Sequence, residues 1–139
     1  MGLDVGDKRL GVAVTDPFGW TVQPVATIQR KDLQQTLAEL KNLLEEYAVE
    51  ELVVGLPLNG EDAEGPQAKK VRLFERQLKN FLRDQRKPIP ILMWDESFTT
   101  QEVEEELIAT ADLSRAKRRK VVDQLAAQRI LESYLESLK

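Results

Sequence analysis

The chain has neither cysteine nor histidine, and these two absences exclude a good deal of chemistry. Without thiols there is no disulfide framework and no cysteine nucleophile. Without imidazole there is no Ser-His-Asp or Cys-His catalysis, and nearly every zinc site is excluded as well. Acid–base or metal chemistry then falls to carboxylates, Lys, Tyr or Ser/Thr. Carboxylate oxygens suit hard cations, so Mg²⁺ or Mn²⁺ is the expected metal. Long apolar runs are missing too, and no signal peptide precedes the first strand pattern. A cytoplasmic protein with no membrane partner is therefore expected. Internal repeats, low-complexity tracts and long linkers are absent. The 139 residues, 42% hydrophobic and 32% charged, are expected to form one domain over 1–139 with a core of its own.

The net charge of −4 is a weak argument against a nucleic-acid partner, because the charges are unevenly spread. Residues 115–120 read RAKRRK, five basic in six, while 102–106 are strongly acidic. A local patch decides binding more than the average does.

What is present is organised around residues 2–16, GLDVGDKRLGVAVTD. Leu3 and Val5 alternate with Asp4, as on a strand that points apolar side chains one way and a carboxylate the other. Gly6-Asp7-Lys8 reads as a tight turn in which glycine supplies a positive φ. Leu10, Val12 and Val14 then alternate with Gly11 and Ala13, a second strand antiparallel to the first. The small residues leave room on the face opposite the large ones. A carboxylate in the middle of such a strand is costly unless neutralised. Asp4 is thus either an acid satisfied by turn amides or a metal ligand or phosphate-handling acid on a central strand.

A turn at 16–19 leads to a third strand over 21–28, where Pro24 marks an edge or a bulge. Asp32 and Gln35 have capping-box spacing. Leu33, Leu37, Leu40, Leu44 and Tyr47 then form one helical stripe. Residues 52–56 are apolar without alternation, as on a strand covered on both faces. Pro66 suits the first turn of a second helix, striped by Val71, Phe74, Leu78 and Phe81. Residues 88–94 form another apolar strand, Thr99 and Glu102 a second capping box, and Ser114 a cap for a helix to about 138. This order fits a mixed α/β sheet with an antiparallel start and crossovers to parallel strands.

Two further acids stand out. Asp123, Ala127, Ile130 and Tyr134 follow at steps of four, three and four, which puts Asp123 on or beside a buried stripe. Most helix aspartates are solvated. However, the first turns of this helix carry Arg115, Lys117, Arg118, Arg119 and Lys120, where the macrodipole favours acids. Helix stability does not explain that choice, whereas phosphate contact does. Asp95-Glu96 closes a strand at the sheet end where α/β sites gather. The pair could equally cap the next helix. Of the two, Glu96 has the longer reach.

Four ordered blocks carry a resemblance over essentially the whole chain: residues 2–16, 53–71 (VVGLPLNGEDAEGPQAKKV), 95–107 (DESFTTQEVEEEL) and 120–131 (KVVDQLAAQRIL). The chain resembles the YqgF/RuvX family, assigned as pre-16S ribosomal RNA nucleases and related to Holliday-junction resolvases. The resemblance implies an RNase H-like fold, a five-stranded mixed sheet of order 3-2-1-4-5 flanked by helices. It also implies catalytic, metal-holding acids at Asp4, Glu96 and Asp123. Ser97 stands where the family commonly has Arg, which removes one phosphate contact. Glu96, at the end of strand 5, would lie two strand spacings, roughly 10 Å, from Asp4, a gap that twist or shared metals would have to close.

The resulting expectation is a metal-dependent endonuclease acting on structured RNA, a pre-16S ribosomal RNA above all, with Mg²⁺ or Mn²⁺ as cofactor. Lys8, Arg9 and the cluster Arg115, Lys117, Arg118, Arg119 and Lys120 would hold phosphates and position the substrate. A junction resolvase acting on branched DNA is the enzymatic alternative, and it would work as a homodimer. A nucleic-acid-binding module without turnover is the other. An actin-like ATPase would need two domains, which 139 residues do not supply.

Overall fold

The computed structural model describes residues 1–57, 65–95 and 115–139, with the side chains of the last helix described from Lys117. Among them are strands β1 (Gly2–Val5), β2 (Arg9–Thr15), β3 (Val22–Gln29), β4 (Leu52–Leu56) and β5 (Ile91–Asp95). The helices are α1 (Leu33–Glu46), α2 (Pro66–Asp84) and α3 (Arg115–Ser137). The strands form one sheet in the order β3-β2-β1-β4-β5. β1 to β3 pair antiparallel, while β4 runs parallel to both β1 and β5. This is the expected mixed sheet, with β1 at its centre.

Strand alternation sorts the side chains into two layers. Leu3, Val5, Leu10, Val12 and Val14 pack with Leu37, Leu40 and Leu44 of α1 and Val71, Phe74, Leu78 and Leu82 of α2. Each such side chain, fully buried, contributes about 2 kcal/mol. On the other face Val53 meets Ile130 and Leu131 of α3, with Trp94 and Tyr134 packed alongside. β4 is buried at every position, because helices cover both of its faces.

The helical stripes end differently from the sequence expectation. Tyr47 follows the last residue of α1 and is 40% exposed. In α2 it is Leu82, rather than Phe81, that completes the buried stripe. The Asp32 carboxylate caps α1 by accepting from the Gln34 amide at 3.2 Å, whereas the Gln35 amide group donates to Glu39, so only half of the capping box forms. Pro24 lies on the edge strand at an irregularity, where the register of β2 and β3 shifts between Val12 and Ala13. Gly6 does not take a positive φ; among the described glycines only Gly19 does. The role of Gly6 is close approach: its amide donates to the Arg9 carbonyl at 2.9 Å, and a Cβ there would lie 2.9 Å from that oxygen. The proposed caps and short helix at Thr99, Glu102 and Ser114 lie outside the described residues.

A candidate active site between the first strand and the last helix

Asp4 pairs across β1 and β2 with Gly11, and α3 crosses directly over that pair. A Cβ on Gly11 would sit 2.0 Å from the Asp123 carbonyl oxygen, and one on Gly2 would sit 2.8 Å from the Ala127 carbonyl oxygen. The helix backbone therefore rests on a strip of sheet kept bare by glycine, closer than any side chain would permit. Three further bonds fix it there. Thr27 Oγ1 donates to the Lys120 carbonyl at 2.7 Å, Trp94 Nε1 to Ser133 Oγ at 3.1 Å, and Tyr134 Oη to Glu51 Oε1 at 2.9 Å. Trp94 also meets the Tyr134 ring edge-on, with centroids 5.5 Å apart.

This seating brings the first and last acids together. Burial, then the neighbouring Asp123 carboxylate, raise the Asp4 carboxyl to about 7, and Arg9 pulls the other way. Burial also raises Asp123, and the bond from Arg9 opposes it. Arg9 Nε lies 2.6 Å from Asp123 Oδ2. Among the described residues no donor is bonded to the Asp4 carboxylate. Two neighbouring carboxylates, one with no bonded donor among the described residues, form a hard, anionic oxygen set that fits Mg²⁺ or Mn²⁺. No third acid joins them among the described residues.

Glu96 and Ser97 lie outside the described residues. Asp95 ends β5 opposite Leu56 and is exposed. Lys8 is exposed in the turn between β1 and β2, whose backbone is held by the bond from the Arg30 amide to the Lys8 carbonyl, 2.8 Å. The Arg30 guanidinium donates to the Gly6 carbonyl and stacks 4.8 Å from the centre of the Phe74 ring. Lys117, Arg119 and Lys120 are exposed on the turns of α3 preceding Asp123, and Arg118 is half-buried. The Arg115 side chain is outside the described set. Sequence reasoning assigned Arg9 to phosphate and missed its bond to Asp123. The signal was its place two residues before Gly11, hence on the same face of β2, but its partner is 114 residues away.

The chain matches the model of the RuvX family, described as Holliday junction resolvase, over residues 1–137. It is 49% identical over 138 residues to a protein of Moorella thermoacetica, covering 99% of this chain and 94% of that one. It is 45% identical over 139 residues to one of Caldanaerobacter subterraneus subsp. tengcongensis, covering 100% and 96%. Both carry the words pre-16S rRNA nuclease in their names. Among solved structures it is similar to T. thermophilus RuvC in complex with Holliday junction substrate, at TM-score 0.55 and 12% identity over 99% of this chain and 93% of that one. The fowlpox virus Holliday junction resolvase gives TM-score 0.51 at 17% identity, over 98% and 97%. These likenesses, with the 3-2-1-4-5 strand order, show an RNase H-like fold.

Proposed function

The chain belongs to the RuvX family of Holliday junction resolvases, and from that premise we propose that this nuclease is a metal-dependent endonuclease of structured RNA that processes the 5′ end of pre-16S ribosomal RNA. The whole chain works as a single RNase H-like domain in the cytoplasm. The observation that carries this reading is the pairing of Asp4 with Asp123, two like-charged acids held together by close packing at the centre of the sheet. A fold gains no stability from such a pair, whereas a cation site requires one.

Asp4, Asp123 and, from the sequence, Glu96 would hold Mg²⁺ or Mn²⁺. When bound, such a metal would supply an activated water at neutral pH and charge stabilisation for the leaving 3′-oxygen. The protein's own part is positional. Asp4 is fixed by strand pairing on both sides of β1, and Asp123 by the seat of α3 on Gly11. Lys8, Lys117, Arg118, Arg119 and Lys120 flank the acids and hold the phosphate backbone without reading its sequence.

The test is incubation of the protein with a pre-16S transcript and, separately, a four-way DNA junction, in Mn²⁺ and in EDTA. Cleavage of the transcript in Mn²⁺ alone is expected, falling by orders of magnitude in Asp4→Asn and Asp123→Asn. Full cleavage by Asp123→Asn would remove that acid from the site. Symmetric cutting of the junction, with the transcript left intact, would favour a dimeric resolvase instead.

A further inference from the structure

The two acids of the site are unequally neutralised. Asp4 has no bonded donor among the described residues, but Asp123 already has a cation: Arg9 Nε, 2.6 Å from Oδ2. The two side chains are 27% and 16% exposed, so the pair lies at the mouth of the site, partly shielded from water. Arg9 shares a face of β2 with Gly11, which brings the guanidinium beside the helix turn that carries Asp123. It approaches with Nε.

We propose that Arg9 is the resident counter-ion of Asp123, and that it and the incoming divalent metal exchange for this one carboxylate. The proposal rests on the reading of Asp4 and Asp123 as metal-holding acids. A cation bound between these acids competes with Arg9 for the Asp123 carboxylate, whose Oδ2 Arg9 now holds, and the guanidinium charge repels it at short range. Loading the metal therefore drives Arg9 away from Asp123. Once displaced, the guanidinium stands near Lys8 at the edge of the site, where its fork matches a phosphate. Arg9 is thus a positioning residue with two states. It holds the acids in place before the metal enters, and it becomes a phosphate contact when the metal has taken Asp123. Metal and nucleic acid consequently assist each other's binding, since each gains from the same exchange.

Calorimetric titration of Mn²⁺ into the full chain, without nucleic acid, tests the exchange. Arg9→Gln is expected to bind Mn²⁺ about tenfold more tightly than the unmodified protein, a modest figure because the pair is partly exposed. Arg9→Lys, which keeps the charge but loses Nε, should fall between them. Equal or weaker binding by Arg9→Gln, including no binding by either protein, overturns the proposal. The Asp4→Asn variant separates the two readings. If it binds Mn²⁺ normally while Arg9→Gln still binds more tightly, the acid-pair site fails and the exchange at Asp123 stands.

A second measurement needs no metal, and its first arm, Asp123→Asn, leaves Arg9 in place. In EDTA, binding of a single-stranded RNA oligonucleotide is followed across salt concentrations. Asp123→Asn releases Arg9, so its salt slope should steepen by about one phosphate contact relative to the unmodified protein. Asp123→Asn combined with Arg9→Gln should return to the original slope. An unchanged slope in Asp123→Asn, or an equal steepening in the double variant, would show that Arg9 is not released to phosphate.

Discussion

At the scale of single residues, Asp4 combines central placement with poor solvation. Its carboxyl, raised to about 7 by burial and by Asp123, binds a proton in the folded protein at pH values where the unfolded chain has released it. Between the ordinary carboxylate range and about 7, stability therefore falls as pH rises, and above that window the loss is complete. The full loss is on the order of a few kcal/mol. Urea denaturation in EDTA should show the metal-free protein less stable at pH 8 than at pH 5, and Asp4→Asn should remove most of that slope. A stability that rises over this interval would mean that Asp4 is satisfied in the folded state. Asp4 was legible in the sequence because a lone carboxylate stands in the middle of a strand that otherwise reads as core. The partner of Arg9 was not legible, because nothing local connects Arg9 to Asp123.

At the scale of elements, the contact between α3 and the β1–β2 pair sets the geometry of the site. The small residues at 11 and 13 announced free space on one face of the sheet, and the stripe of Asp123, Ala127 and Ile130 announced a helix face to fill it. Matching the two needs the closeness of approach, which periodicity does not contain. Gly11→Ala places a methyl 2.0 Å from the Asp123 carbonyl oxygen, so the helix must lift. A destabilisation of roughly 3 kcal/mol is expected, with Mn²⁺-dependent cleavage lost even where the protein remains folded. Chemical denaturation alongside single-turnover cleavage checks this, and a fully active Gly11→Ala would mean that α3 sits elsewhere. Element ends were less legible. Tyr47 continues the periodic stripe of α1, yet the helix stops one residue before it, because periodicity records a buried face and contains no stop signal.

At the scale of the whole molecule, the strand order follows from the element order: an antiparallel start, then helical crossovers that extend the sheet on the far side of β1. Trp94 bridges the last strand and α3, whereas Trp20 is 87% exposed on the turn between β2 and β3. In a Trp20→Phe variant, fluorescence therefore reports the seating of α3 alone. Its thermal transition should coincide with that of far-ultraviolet circular dichroism if helix and sheet unfold as one unit. An earlier fluorescence transition would mean that α3 detaches first. The meeting of β1 with α3 also has a consequence in time. Asp4 leaves the ribosome well before Asp123, and the glycine strip stays uncovered until α3 arrives. A nascent chain stalled before residue 115 holds one acid of the pair and no seat for the other. The acid pair is thus incomplete while the chain emerges, and it comes together only once α3 has been made.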